Sequence, residues 1–179
     1  MASDESERVV LVDYNDVAIG VYPKLEAHAH GGKLHRAFSI YIFNGRGELL
    51  MQRRAATKYH APLLWANTCC GHPRPDEGLL IAAARRLEEE MGIVCGLVEA
   101  FAFTYMTPVG MLTEWEYGHV IFGFSEADPV INRDEASEAR RMPLRAIAAD
   151  MARSPGSYAP WFRLALPYVI EARGGRIKK

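Results

Sequence analysis

NTCCGHPRPDEGLLIAAARRLEEEMG, residues 67–92, sets two cysteines, a glycine and a histidine ahead of a helical pattern that closes on three consecutive glutamates and a glycine. Pro75, Asp76 and Glu77 suit the first turn of that helix. Leu80, Ala83, Ala84, Leu87 and Met91 fall on one apolar stripe, which predicts a helix packed on a sheet. Gly92 fits a C-cap. With Leu80 at zero on a helical wheel, Glu90 falls at the edge of the stripe beside Ala83 and Arg86, and Glu89 falls on the far side near Arg85. Glu88 and Glu89 read as solvated. A half-buried carboxylate needs a partner, so Glu90 is expected to point into a site. Thiol, imidazole and carboxylates within 26 residues suggest a metal-dependent centre that the rest of the chain must complete.

Upstream, LLMQRR (Leu49–Arg54) and RAFSIYIFN (Arg36–Asn44) read as strands joined by the NGRGE turn. Arg53, Arg54 and Lys58 put cations just ahead of the cysteines. EAHAHGGKLH (Glu26–His35) reads as a loop with three histidines. His28 and His35, paired ahead of a strand, leave metal binding and a plain soluble loop evenly balanced on their own, with His30 ranked behind His28. Val9–Val12 and Val17–Tyr22 read as a hairpin, and residues 1–8 as a disordered lead-in.

Downstream, Val98–Met106 reads as a strand and TPVGMLT as a turn or short loop. EWEYGHVIFGF (Glu114–Phe124) alternates, with Glu114 and Glu116 on one face and Trp115, Tyr117 and His119 on the other. Two neighbouring carboxylates on one strand face repel unless a cation lies between them, which is a second metal signal. Asp128–Arg140 reads as a charged loop feeding a short strand. Pro143–Pro155 reads as a helix, as does the segment from Pro160 to about Gly175, with Pro167 a candidate kink. Trp161 suits core packing or the aromatic wall of a pocket.

With 179 residues, 49% of them hydrophobic, the chain can bury one full core, and no linker or repeat divides it. A formal charge of −1 gives no reason to expect a nucleic-acid binder or a polybasic membrane contact. An anionic ligand must therefore meet a local cluster of cations. No apolar run reaches bilayer length, the acidic N-terminus is not a secretory signal, and three cysteines suit a cytosolic protein with free thiols.

The spacing Gly71-x5-Glu77-x7-Arg85-Arg86-Leu87-x-Glu89-Glu90-x-Gly92-Ile93 resembles the Nudix box, with Arg86 where the family pattern has Glu. The resemblance implies an α+β Nudix fold, a mixed sheet flanked by helices, and box carboxylates that bind a divalent cation on a diphosphate. NTCCGHP, HAHGGKLHRAFS and TEWE narrow it to the type 1 isopentenyl-diphosphate delta-isomerases. Arg86 fits that family better than a hydrolase, which relies on box carboxylates to activate water.

Isomerising isopentenyl diphosphate to dimethylallyl diphosphate requires proton gain at one carbon and loss at another through a tertiary carbocation. The site therefore needs an acid, a base and a dry pocket that stabilises positive charge. The resemblance gives the acid and base roles to Cys70 and Glu116, with Tyr105 beside Glu116, and sets Trp161 against the cation. It implies His28, His35, His72, Glu114 and Glu116 as ligands of a first metal, a mixed set suiting Mn2+ or Zn2+ more than Mg2+. Glu90 and the Cys70 carbonyl would hold a diphosphate-bound Mg2+, and Lys24, Arg54, Lys58 and Arg86 would grip the diphosphate. Cys69 and Cys95 read as structural thiols. The expected protein is a single-domain cytoplasmic monomer or homodimer with a small-molecule diphosphate substrate. A Nudix hydrolase and a non-catalytic binding domain are the alternatives.

Overall fold

HRAFSIYIF, strand β3 (His35–Phe43), is buried along most of its length. Strand β8 (Leu112–Phe124) runs parallel beside it, in register from His35 with Glu116 to Phe43 with Phe124. The computed structural model describes residues 7–58 and 60–174. Around β3 and β8 the described strands join one mixed sheet. Strands β1 (Arg8–Val12) and β2 (Ala18–Pro23) form a hairpin at one edge, and β4 (Glu48–Arg54) crosses from β3 to β9 (Ala136–Pro143). Strand β7 (Leu97–Val109) pairs antiparallel with β8. The short strands β5 (Trp65–Ala66) and β6 (Cys69–Gly71) dock on β4 and β3.

The alternation of β3 sorts the helices between the two faces. Phe38, Ile40 and Ile42 pack against Ala82, Ala83, Leu87 and Met91 of α2 (Leu79–Met91). Tyr41 and Phe43 face the other way, against Ile147 and Met151 of α3 (Leu144–Arg153) and Phe162, Ala165, Leu166 and Val169 of α4 (Pro160–Arg173). Burying each large apolar side chain contributes about 1.5–3 kcal/mol, so both faces hold the sheet firmly. His35, Ala37 and Ser39 share the α4 face with Tyr41 and Phe43, at the opposite end of the strand. A polar cavity opens there.

The sequence locates the elements well and their ends less well. Residues 1–6 of the expected disordered lead-in lie outside the described residues, whereas Glu7 is ion-paired with Lys24 and Arg8 opens β1. The expected loop Glu26–His35 begins inside a short helix, α1 (Lys24–His28). TPVGMLT is mostly strand: β7 runs to Val109 and β8 resumes at Leu112, leaving a tight turn in which Gly110 has φ +64°. The segment expected as a charged loop ends in an eight-residue strand, β9.

Helix α2 needs two corrections. It begins at Leu79, so Pro75, Asp76 and Glu77 precede it, and Asp76, at φ +64°, has a backbone that no right-handed helix contains. Glu77 instead accepts two hydrogen bonds from Arg85 and one from the Arg74 amide. The buried stripe is Ala82, Ala83, Leu87, Glu90 and Met91, while Leu80 and Ala84 are exposed. The helix opens Leu-Leu-Ile, so apolar pattern alone does not say which of three consecutive residues turns inward. As a result Glu90 lies on the buried face, not at its edge. Gly92 caps the helix as expected, in the left-handed conformation at φ +63°.

Candidate active site and metal centre

Strand register assembles the polar cavity. His35 of β3, Glu116 of β8 and Tyr105 of β7 are cross-strand neighbours in one row, so their side chains leave the sheet on the same face. Ser39, four residues beyond His35, keeps to that face and pairs with Cys70 of β6. His72 follows β6, and His28 ends α1. Ser39, Cys70, His72, Tyr105 and Glu116 line a cavity of about 370 Å3 together with Lys24, Arg54, Lys58, Arg86, Glu90 and Trp161, and His28 and His35 are buried behind this lining. That volume suits a small ligand, at the low end of the ~300–1,000 Å3 common for such sites. Helix α2 reaches the cavity past Gly71, where a Cβ would lie 2.9 Å from Phe38 Cζ and 3.2 Å from Arg86 Cγ. A side chain at residue 71 would displace the Arg86 stem.

At one end of the cavity, ligand atoms of His28, His35, His72 and Glu116 lie within 4.8 Å of one another. His35 Nε2 is 3.2 Å from His72 Nε2, which is 3.3 Å from Glu116 Oε1. The outer nitrogens are tied down: His28 Nδ1 lies 2.7 Å from the Lys24 carbonyl, and His35 Nδ1 2.7 Å from the Lys33 carbonyl. A carbonyl only accepts, so each Nδ1 carries the proton and each Nε2 presents its lone pair inward when the ring is neutral. Three convergent imidazoles with a carboxylate, oriented from behind, fit a divalent metal ion. Glu114 stands beside this group, with Oε2 3.1 Å from His28 Nε2 and Oε1 3.0 Å from His60 Nε2. His30, ranked behind His28, is exposed and outside the group.

Burial and charge set the protonation states. Burial would raise Glu116, but hydrogen bonds from His35 and Tyr105 outweigh it and hold the carboxyl at about 2. Burial and Glu116 would both raise Glu114, yet His28 and His60 keep it below the usual carboxylate range. Burial lowers His28, and its contact with Glu114 reverses that and leaves it raised. Burial, joined by the charges of His35 and His28, pushes His72 well below 6.5. Burial lifts the Cys70 thiol to about 12. Hydrogen bonds from Ser39 and Asn67 pull the other way but do not offset the burial. Asn67 Nδ2 donates to the carbonyls of Ile40 and Cys69, and Cys70 Sγ lies 3.2 Å from both Nδ2 and Oδ1 of Asn67, so the amide can donate to the sulfur or accept its proton.

The other end of the cavity is a web of ion pairs. Arg86 bonds Glu90 and Glu89 and lies 3.3 Å from Glu135. Lys58 Nζ is 2.8 Å from Glu135, and Lys24 Nζ is 2.7 Å from Glu7. Gln52 Nε2 donates to Glu90 Oε2 at 3.0 Å. Arg54 donates to the His60 carbonyl, with its guanidinium 5.2 Å from the centre of the Trp161 ring. Lys24, Arg54, Lys58 and Arg86 therefore reach one cavity, whereas Arg53, noted beside them in the sequence, pairs with Glu138 outside it. Cys69 faces away into the α2 core, and Cys95 is a free thiol outside the cavity lining.

Four residues escaped sequence reasoning. Asn67 stood inside the quoted motif without a role. His60 and Glu135 carried no periodic signal: one is a lone histidine in a loop, the other one acid among many in a charged segment. Gln52 looked like an ordinary strand residue. Backbone bonds bring Glu135 to the cavity, since the Ala55 N–H donates to its carbonyl and the Asn132 N–H donates to that of Glu90.

The sequence matches the NUDIX domain family over residues 33–162. It is 45% identical over 168 residues to "Isopentenyl-diphosphate Delta-isomerase 2" of Aromatoleum aromaticum, covering 93% of this chain and 88% of that protein. It is 49% identical over 162 residues to the Isopentenyl-diphosphate Delta-isomerase of Halorhodospira halophila, covering 88% of this chain and 91% of that one. Among solved structures, DR0079 from Deinococcus radiodurans superposes with a TM-score of 0.75 at 19% identity, covering 88% of this chain and 96% of the other. A MutT protein from Methanosarcina mazei superposes at 0.65 with 21% identity, covering 81% and 96%. These two likenesses speak to the fold.

Proposed function

We propose, from the premise that this chain belongs to the Nudix superfamily and within it to the isopentenyl-diphosphate Delta-isomerases, that one cavity carries both the diphosphate grip and the proton transfers of the isomerisation. The enzyme interconverts isopentenyl diphosphate and dimethylallyl diphosphate in isoprenoid biosynthesis. The observation that carries the residue assignment is the shared lining: Cys70, the Glu116–Tyr105 pair, Trp161, and the cations Lys24, Arg54, Lys58 and Arg86 border the same cavity.

In this reading Cys70 and Glu116 act on opposite faces of the five-carbon chain, one giving a proton to the alkene as the other removes one. Opposite resting states suit the task. Burial keeps Cys70 a proton-bearing thiol at about 12, and Glu116 is ionised at about 2. Tyr105 donates its hydroxyl proton to Glu116 and provides the carboxylate with a nearby exchange partner. Trp161, buried beside Arg54, turns a π-face toward the carbocation and offers it no nucleophilic atom. Arg86, Lys58, Arg54 and Lys24 exchange carboxylate or carbonyl partners for phosphate oxygens. That exchange costs less than desolvating free cations, because each is already held close to its working position.

Ions supply charge at both ends. A divalent ion, Mn2+ or Zn2+ in preference to Mg2+, held by His28, His35, His72, Glu114 and Glu116, would set the basicity of Glu116, and Mg2+ held by Glu90 and the Cys70 carbonyl would neutralise diphosphate. The protein acts as a single-domain monomer or homodimer on a small molecule, without nucleic acid. The three free thiols support a reducing, cytoplasmic location. No helix among the described residues is long and apolar enough to cross a membrane.

Purified protein with Mg2+ and isopentenyl diphosphate tests the reading. Dimethylallyl diphosphate should accumulate without release of phosphate. Phosphate release with no isomer would instead assign a hydrolase, in which Arg86 takes the place of a box carboxylate without changing the reaction.

A further inference from the structure

We propose that His60 is a positioning residue for the metal centre: it holds one oxygen of Glu114 so that the other stays turned toward the metal-binding imidazoles. The inference rests on reading His28, His35, His72, Glu114 and Glu116 as metal ligands. Glu114 is 3% exposed and spans two histidines, with Oε2 3.1 Å from His28 Nε2 and Oε1 3.0 Å from His60 Nε2. His60 belongs to neither strand nor helix, and it is not one of the residues whose ligand atoms converge within 4.8 Å. It meets the centre through Glu114.

The surroundings fix His60 in turn. Its carbonyl accepts hydrogen bonds from Arg54 Nε at 3.3 Å and Nη2 at 3.2 Å. Its ring centre lies 5.6 Å from that of Trp161 and 6.3 Å from that of His28. A buried carboxylate oxygen that loses its donor has to find another, and rotation of the carboxylate toward one draws the second oxygen away from the His28 side of the centre. Groups that orient a ligand from behind in this way typically change metal affinity by about 10–100-fold when removed. His60 also joins the two ends of the cavity, since its side chain serves Glu114 and its main chain serves Arg54.

The test measures metal binding directly. Metal-free protein is titrated with Mn2+ alone, followed by electron paramagnetic resonance of the free ion, for wild type, His60→Phe, His60→Ala, His60→Gln and His35→Ala. The Phe variant keeps a ring beside Trp161 but donates nothing, and affinity should fall about 10–100-fold, as in the Ala variant. The Gln variant restores an N–H donor near the position of Nε2 and should bind close to wild type. A folded Phe or Ala variant with wild-type affinity overturns the proposal. If His35→Ala also binds Mn2+ normally, the underlying metal-site reading has failed instead. Melting of the metal-free variants reports folding. Wild type provides a measurement independent of any substitution: in 15N imidazole spectra with Zn2+ bound, His60 Nε2 should retain its proton. Loss of that proton on Zn2+ binding would make His60 a direct ligand and would equally overturn the positioning role.

Discussion

At the imidazole end of the cavity, His28 and His35 are braced from outside by main-chain carbonyls and turn their inner nitrogens toward His72 and Glu116. At the cation end, Lys58 and Arg86 sit on long, flexible stems and are held by Glu90 and Glu135 in an internal web of ion pairs. One end rests on sheet register and fixed carbonyls, and few rearrangements are open to it. On the reading proposed above, the other is built for exchange, because a diphosphate entering it would replace carboxylates that already mimic phosphate. The first end should therefore govern the chemical step and the second the capture of substrate.

The strongest way to break this division is to remove the proton-carrying groups. Glu116→Gln and Cys70→Ala should each lower kcat by about 10²–10⁴-fold, the usual contribution of a positioned acid or base, with KM changing far less. Cys69→Ala should keep most of its activity, because that thiol is buried among Phe38, Leu87 and other residues of the α2 core. Rates of conversion of isopentenyl diphosphate measure all three. Full activity in Cys70→Ala would remove the thiol from the mechanism.

A smaller effect sharpens the other half of the comparison. Arg86→Ala deletes a charge-assisted contact worth about 1.5–3 kcal/mol, so KM should rise roughly 10–100-fold with a lesser change in kcat. Added salt should raise the wild-type KM as well, because screening weakens the attraction between the partly exposed cations and the diphosphate. Steady-state kinetics on the same substrate read both. A variant that lost only kcat would show that Arg86 serves the chemistry and not the grip.

How much of this was legible beforehand follows the same division. The imidazole end was readable because its residues sit in short, dense patterns: histidines ahead of a strand, alternating glutamates, and a cysteine–glycine–histidine run. Lys24, Arg54, Lys58 and Arg86 came from the family resemblance, since in composition they are indistinguishable from surface charge. The individual strands and the box helix were readable from periodicity, and the mixed sheet that joins them came from the family resemblance. The facing of that helix was not, because Leu79, Leu80 and Ile81 offer three apolar residues in a row and tertiary packing alone selects among them. His60 and Glu135 were invisible for a related reason. Each matters through a partner more than 50 residues away in sequence, Glu114 in one case and Lys58 in the other, and no local rule records such a pairing.

The smallest expected effect concerns pH and concerns the imidazole end alone. In metal-free protein, burial holds His60 and His72 below 6.5, so between pH 5 and 6.5 the unfolded chain binds protons that the folded chain refuses. Stability should rise with pH across that interval. His28 has the opposite sign. Burial would lower it, but Glu114 raises it, so its contribution is complete below 6.5 and is lost as pH climbs through the raised value. The melting temperature of chelated protein should therefore peak near pH 6.5, with slopes of at most about 1.4 kcal/mol per pH unit for each proton. Saturating Mn2+ should abolish the alkaline decline, because metal binding requires neutral imidazoles and gains as protons leave. A chelated protein whose melting temperature climbed steadily from pH 5 to 8 would show that the His28–Glu114 pair contributes little, and that the imidazole end is held together by its carbonyl braces instead.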